Sequence, residues 1–155
     1  MKRYFLVIIL VLVITGCAKQ DQLDVLVFGS DQPAQLQIAN NQQANVELLS
    51  NNYERLIMEI ASHNGDVLVV DQTLVNTTVF DPEGLVPLDN LLAGDNNLTA
   101  LKGTDPNSGE TNTYGLKIEG QSDQNQTFIV MVPKYSRNQA DALAIIAALT
   151  GTSNK

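Results

Sequence analysis

The chain of 155 residues has one cysteine, Cys17, so its fold must be held by packing and hydrogen bonds, with no internal disulfide. That cysteine lies behind an unbroken apolar run, Phe5 to Ile14, which itself follows Lys2 and Arg3. A basic start, an apolar stretch and small residues before a cleavage point form the layout of an export signal. As a helix the run would cover about 15 Å, half of a ~30 Å hydrocarbon core, which is too short for a comfortable membrane span.

Ile14-Thr15-Gly16-Cys17 resembles the lipobox of bacterial lipoproteins. The resemblance covers only the first 17 or 18 residues. It implies that Cys17 receives a diacylglyceryl group on sulfur, that cleavage between Gly16 and Cys17 removes residues 1–16, and that the new amino group is then often acylated. A thiolate suits this role because it is the strongest nucleophile among common side chains. Two or three acyl chains, each buried methylene contributing about 0.8 kcal/mol, hold essentially permanently. In the sorting rule of this class, Asp directly after the cysteine favours inner-membrane retention. Ala18 stands there, which implies an outer membrane facing the periplasm in a Gram-negative cell, and otherwise the outer face of the plasma membrane.

Removing the signal leaves roughly 140 residues, enough for one domain with its own core and too few for two. Residues 17–22 form a short lipidated tether, and the domain is expected over 23–150. Five extended residues, Ala18 to Gln22, reach at most about 17 Å, so the domain sits close to its membrane. All 17 acidic residues follow Cys17, while two of the 9 basic residues leave with the signal, making the mature chain more acidic than the formal −8 of the full sequence. Nucleic acid is therefore disfavoured as a partner, and an anionic lipid surface would repel the domain.

The expected secondary structure centres on Asn64-Gly65, which suits a type I′ turn between strands 55–62 and 66–73. Leu56, Met58, Ile60, Val67 and Val69 then gather on one face as the core side. Further strands are expected at 36–38, 44–49, 98–102, 114–119 and 127–132, separated by turn residues. Seven or so short strands point to a mainly β, antiparallel sandwich. The stretch Leu91 to Asp105 is similar to part of bacterial immunoglobulin-like domains, with a Gly turn, an Asn and an alternating strand in which Leu98 and Ala100 point inward. That similarity implies an immunoglobulin-like β-sandwich and carries no functional residue.

A short C-terminal helix is expected at about 137–149. Ser136-Arg137-Asn138-Gln139 fits a capping box, residues 140–149 are Ala-rich, and Gly151 can end the helix. Its wholly apolar stretch from Ala142 to Leu149 either docks on the domain itself or offers Leu143, Ile146 and Leu149 to a partner.

No catalytic pattern stands out. His63 is the sole histidine and lies beside the Asn-Gly turn, no Gly-x-Ser-x-Gly occurs, and the scattered glycines form no phosphate-cradling loop. The single cysteine, taken by lipid, leaves too few ligands for zinc. Asp105, Asn107 and Glu110 place oxygen ligands on a loop, as do Asp123 and Asn125, but the Gly falls one position early for a calcium loop and no distal Glu closes it. With no Trp and 5% aromatics, sugar stacking is poorly supported. The expectation is a chain that is not an enzyme and takes no cofactor: a membrane-anchored accessory or protein-interaction module of the bacterial envelope, with another envelope protein as partner. The alternatives are a small-ligand or calcium-binding lipoprotein and, further behind, a hydrolase.

Overall fold

The computed structural model describes residues 22–30, 33, 36, 44–92, 98–120 and 126–151. The signal, Cys17 and the tether up to residue 21 lie outside them, as do Asp123 and Asn125. Among the described residues no helix is long and apolar enough to cross a membrane.

One six-stranded sheet organises the domain. Its strands are β1 Asp24–Phe28, β2 Asn45–Leu49, β3 Val67–Asp71, β4 Ala100–Thr104, β5 Thr111–Glu119 and β6 Thr127–Met131, in the spatial order β2-β1-β3-β6-β5-β4. β1 pairs in parallel with both β2 and β3, while β6, β5 and β4 add on in antiparallel fashion. The expected antiparallel immunoglobulin-like sandwich is therefore corrected: there is a single mixed sheet, and helices rather than a second sheet cover it. Its apolar central strands fit this arrangement. Val25 to Phe28, Val67 to Val70 and Phe128 to Met131 are all buried, because both faces of the sheet are packed.

One face joins Val25, Val27, Val69, Leu116, Phe128 and Val130 to Leu36 and to the C-terminal helix. Leu98 and Ala100 pack partly against this face, on the inward side expected for them. The other face joins Leu26, Phe28, Leu68, Ile129 and Met131 to Leu56, Val79 and Leu85.

The largest departure from expectation is helix α1, Tyr53–Ala61, which occupies the segment read as the first strand of the hairpin. Leu56, Met58 and Ile60 satisfy a period of two, but Leu56, Ile57 and Ile60 equally satisfy a helical stripe. The Asn52 side chain decides the local start by accepting from the backbone N–H of Arg55. Met58, assigned to the core in the strand reading, is 61% exposed. Asn64-Gly65 consequently sits in the connection from α1 to β3, where His63 and Gly65 take positive φ values of 56° and 82°. A Cβ on Gly65 would come within 2.8 Å of the Leu26 side chain, so glycine answers here to both backbone and space.

Helix α2, Gln139–Thr150, matches the expected C-terminal helix to within two residues. Asn138, not Ser136, caps it by accepting from the N–H of Asp141, and Gly151 ends it at φ 73°. Ser136 is spent elsewhere: its buried hydroxyl donates to Asp66 at 2.9 Å.

A candidate binding cleft where the parallel strands begin

The parallel strands give the sheet two unlike rims. At the C-terminal ends of β1 and β3 the chain leaves on opposite faces: Leu36, after β1, packs on the face covered by α2, and Leu74 and Val75, after β3, pack on the face carrying Leu68 and Val70. Such a switch point is where open α/β sheets commonly bind ligands. Here it is occupied by the protein's own groups. Asp71 ends β3, is 4% exposed, and its carboxylate accepts from the backbone N–H and hydroxyl of Thr73 at 2.8 and 2.7 Å, from the Asn51 amide at 3.3 Å and from the Gln126 amide. Burial pushes this carboxyl up, but the Thr73 hydroxyl, Gln126, the Thr73 backbone and Asn51 together outweigh it and hold the group below its ordinary value. Asp71 pins three loops and has little capacity left for a ligand.

The opposite rim, where β1, β2 and β3 begin, opens into a cleft of about 390 Å³. Gln22, Leu23 and Asp24 bring the incoming chain to its edge, and Leu26 forms part of its lining. Arg55, Glu59 and His63 come from α1 and its C-terminal turn, and Glu47 comes from β2. Asp66, Tyr135 and Arg137 line it from the approaches to β3 and α2.

Asp66 holds this rim together. Its carboxylate accepts from the backbone N–H of Asp24 at 3.1 Å, the Ser136 hydroxyl at 2.9 Å and the backbone N–H of Arg137 at 3.1 Å. Its own N–H donates to the Asp24 carbonyl at 2.7 Å. Glu59 is neutralised by Arg55 at 2.5 Å and also accepts from Asn64 at 2.6 Å. His63 stacks on Tyr135, with ring centroids 4.8 Å apart and planes 25° apart, and the Tyr135 hydroxyl donates to the Asn64 carbonyl at 3.0 Å. Burial, with Asp66 and Glu59 nearby, pushes the Tyr135 phenol up to about 12.

The residues singled out in the sequence are dispersed. Asp105, Asn107 and Glu110 meet in the β4–β5 turn, where their polar groups serve the turn itself. The Asp105 carboxylate accepts from the N–H groups of Asn107 and Ser108 at 2.8 and 3.4 Å, with Lys134 at 3.7 Å. The Asn107 amide donates to Glu83 at 3.0 Å, and the Glu110 carbonyl accepts from Asp105 N–H at 2.9 Å. The Asn107 N–H foremost, against a smaller effect of burial, then Ser108 and Lys134, hold the Asp105 carboxyl below its usual range. No group of three or more His, Cys, Asp or Glu among the described residues is arranged to hold a metal ion. The partner surface expected on α2 is corrected as well: Ile146 is fully buried, Leu149 is 2% exposed, and Leu143 packs partly against the same core. One side of the helix, Ala142, Ile145, Ile146 and Leu149, fills the domain's own interior, while Ala144 on the other side is exposed.

From the sequence His63 reads as a solvated residue beside a turn; its stack on Tyr135 and its place in the cleft are not legible there. Asp66, Tyr135 and Arg137 are brought together by the pairing of β3 with its neighbours, and no local spacing signals that. No family model matches the chain, and no solved structure matches it. It is similar to YteS, a candidate lipoprotein of Bacillus subtilis (strain 168), with 28% identity over 158 aligned positions that cover 93% of this chain and 92% of the relative.

Proposed function

We propose that the chain is a lipid-anchored, non-catalytic binding module of the bacterial envelope, held to its membrane through Cys17 and recognising its ligand or partner in the cleft at the tether end. The lipobox-like Ile14-Thr15-Gly16-Cys17 supports the anchor, and the similarity to a candidate lipoprotein along nearly the whole chain supports it independently. The observation that carries the binding site is the position of Gln22 and Leu23 in the lining of the cleft. Only residues 18–21 lie between Cys17 and that lining. The cleft volume falls in the range of small-molecule sites, about 300–1,000 Å³. This favours the small-ligand alternative over a helix-mediated accessory role, since the apolar face of α2 is used in the core. A non-catalytic role is supported by the commitment of the sole histidine to a ring stack and of Asp66 to backbone and hydroxyl donors.

Radiolabelled palmitate fed to cells expressing wild type or Cys17→Ala tests the anchor. Label in wild type alone, with loss of the variant from the membrane fraction, is the expected result, and equal labelling overturns the anchor. A photo-crosslinking residue at position 137 is expected to capture more material than one at position 72 on the opposite rim. Equal yields overturn the cleft as the recognition site.

A further inference from the structure

The charges around the cleft are unevenly spent, and this narrows its ligand. Arg55 is paired with Glu59, and Asp66 is enclosed by Ser136 and two backbone N–H groups. Asp24 accepts one amide, from Asn45 at 2.9 Å, through one oxygen only. Glu47 is exposed, and its side chain makes no hydrogen bond or ion pair among the described residues. In the β1–β2 register Asp24 lies opposite Asn45 and Leu26 opposite Glu47, so both carboxylates share the sheet face of Leu26. Adjacent strands ~4.8 Å apart and a two-residue offset of about 6.6 Å put their Cβ atoms roughly 8 Å apart, within the span of one ammonium group. The His63–Tyr135 ring pair lines the same cleft, and so does Arg137, whose guanidinium has no acidic partner among the described residues.

Resting on the reading of this cleft as the recognition site, we infer that it binds the ammonium group of a small polar ligand, with the unneutralised carboxylates of Asp24 and Glu47 as its counter-charges. Carboxylates accept and cannot donate, so they select a donor-rich cation. The aromatic wall adds cation–π attraction. The acidity of the whole chain, −8 overall, favours a ligand that carries an ammonium group over one that carries only negative charge. Arg137 is placed to meet an anionic group on the same molecule, so an aminoethyl phosphate fits better than a bare amine. That chemistry exists both in a soluble amine and in an ethanolamine lipid headgroup, and the short tether brings the cleft near the latter.

The test uses the full lipidated chain in neutral detergent micelles, titrated calorimetrically with ethanolamine, phosphoethanolamine and glycerol. Both amines are expected to bind, phosphoethanolamine more tightly, and glycerol is expected to give no heat. Glu47→Gln and Asp24→Asn should each weaken amine binding about tenfold, as loss of a charge-assisted contact does. Glu119→Gln, remote from the cleft, should leave it unchanged. Absence of amine binding by a protein that still melts cooperatively overturns the proposal, as does equal binding of glycerol or wild-type affinity in both cleft variants. Vesicles distinguish the sources. If phosphatidylethanolamine vesicles suppress ethanolamine binding relative to phosphatidylglycerol vesicles, the headgroup is the occupant, and equal binding in both assigns the site to a soluble amine. A failed anchor would appear separately, as Cys17→Ala remaining in the membrane fraction while micellar binding persists.

Discussion

Two aspartates do comparable work at opposite rims, each gathering backbone and side-chain donors from distant parts of the chain. Asp71 receives Asn51, Thr73 and Gln126, and removing its carboxylate leaves those donors facing a partly dry site. Asp71→Ala is expected to cost about 2–3 kcal/mol in urea unfolding. Its folded pKa lies below the unfolded value of 3.8, so its contribution is present above that value and is lost as pH falls through the folded pKa. Acid titration of stability in wild type should show this loss, and the Ala variant should not. Tyr135 acts at the alkaline end. Its phenol is raised from 10.0 to about 12, so stability is full below pH 10 and falls as the unfolded chain ionises first. Thermal melts between about pH 10 and 12 should flatten in Tyr135→Phe. Thr113 is the reverse case: its buried hydroxyl has no partner among the described residues. Thr113→Val should therefore raise stability by about 1 kcal/mol, read by urea unfolding. Gly151 as a helix end and Asp105 in a turn are legible locally, because their partners lie within five residues. Asp66 and Asp71 are not, since partners such as Ser136 and Gln126 lie 70 and 55 residues away.

At the scale of elements, β5 and β6 are legible as apolar runs bounded by turn residues, whereas β1, Asp24–Phe28, is missing from the expected strands and Leu36, expected in a strand, is helical. The segment 53–61 was not legible, because its apolar residues fit two periods at once and the turn-like Asn64-Gly65 favoured the wrong one. The Asn52 cap is the signal that separates them. Met58→Lys distinguishes the two structures by experiment: on the exposed face of α1 it should change stability by less than about 0.5 kcal/mol, whereas a core strand position would unfold. Helix α2 was legible in existence and extent, and its destination follows from the sheet having a second face to cover. Ile146→Ala should cost about 2–4 kcal/mol in urea unfolding, as expected for a fully buried aliphatic side chain in a closed core.

For the whole molecule, the topology does not follow from the apolar pattern. Parallel pairing of β1 with β2 and β3 depends on crossovers, and once 53–61 is read as a strand the crossover disappears with it. Under the proposed anchoring at Cys17, the topology would orient the domain: β1 follows closely on the anchor in sequence, which would turn the cleft rim toward the membrane and the Asp71 rim away from it. Under the proposed lipidation of Cys17, the only cysteine, a single substituted thiol would be free to carry a fluorophore. A label at position 138 should be quenched by lipid-borne spin labels more strongly than one at position 72.

The dependence of the first core face on α2 bears on timing. β1, at 24–28, cannot bury Val25 and Val27 fully until residues 142–149 have been made, more than a hundred positions later. Contacts so far apart in sequence form slowly. A nascent chain still lacking α2 leaves Val25 and Val27 without part of their cover, so this face of the core closes only when the last element has left the ribosome.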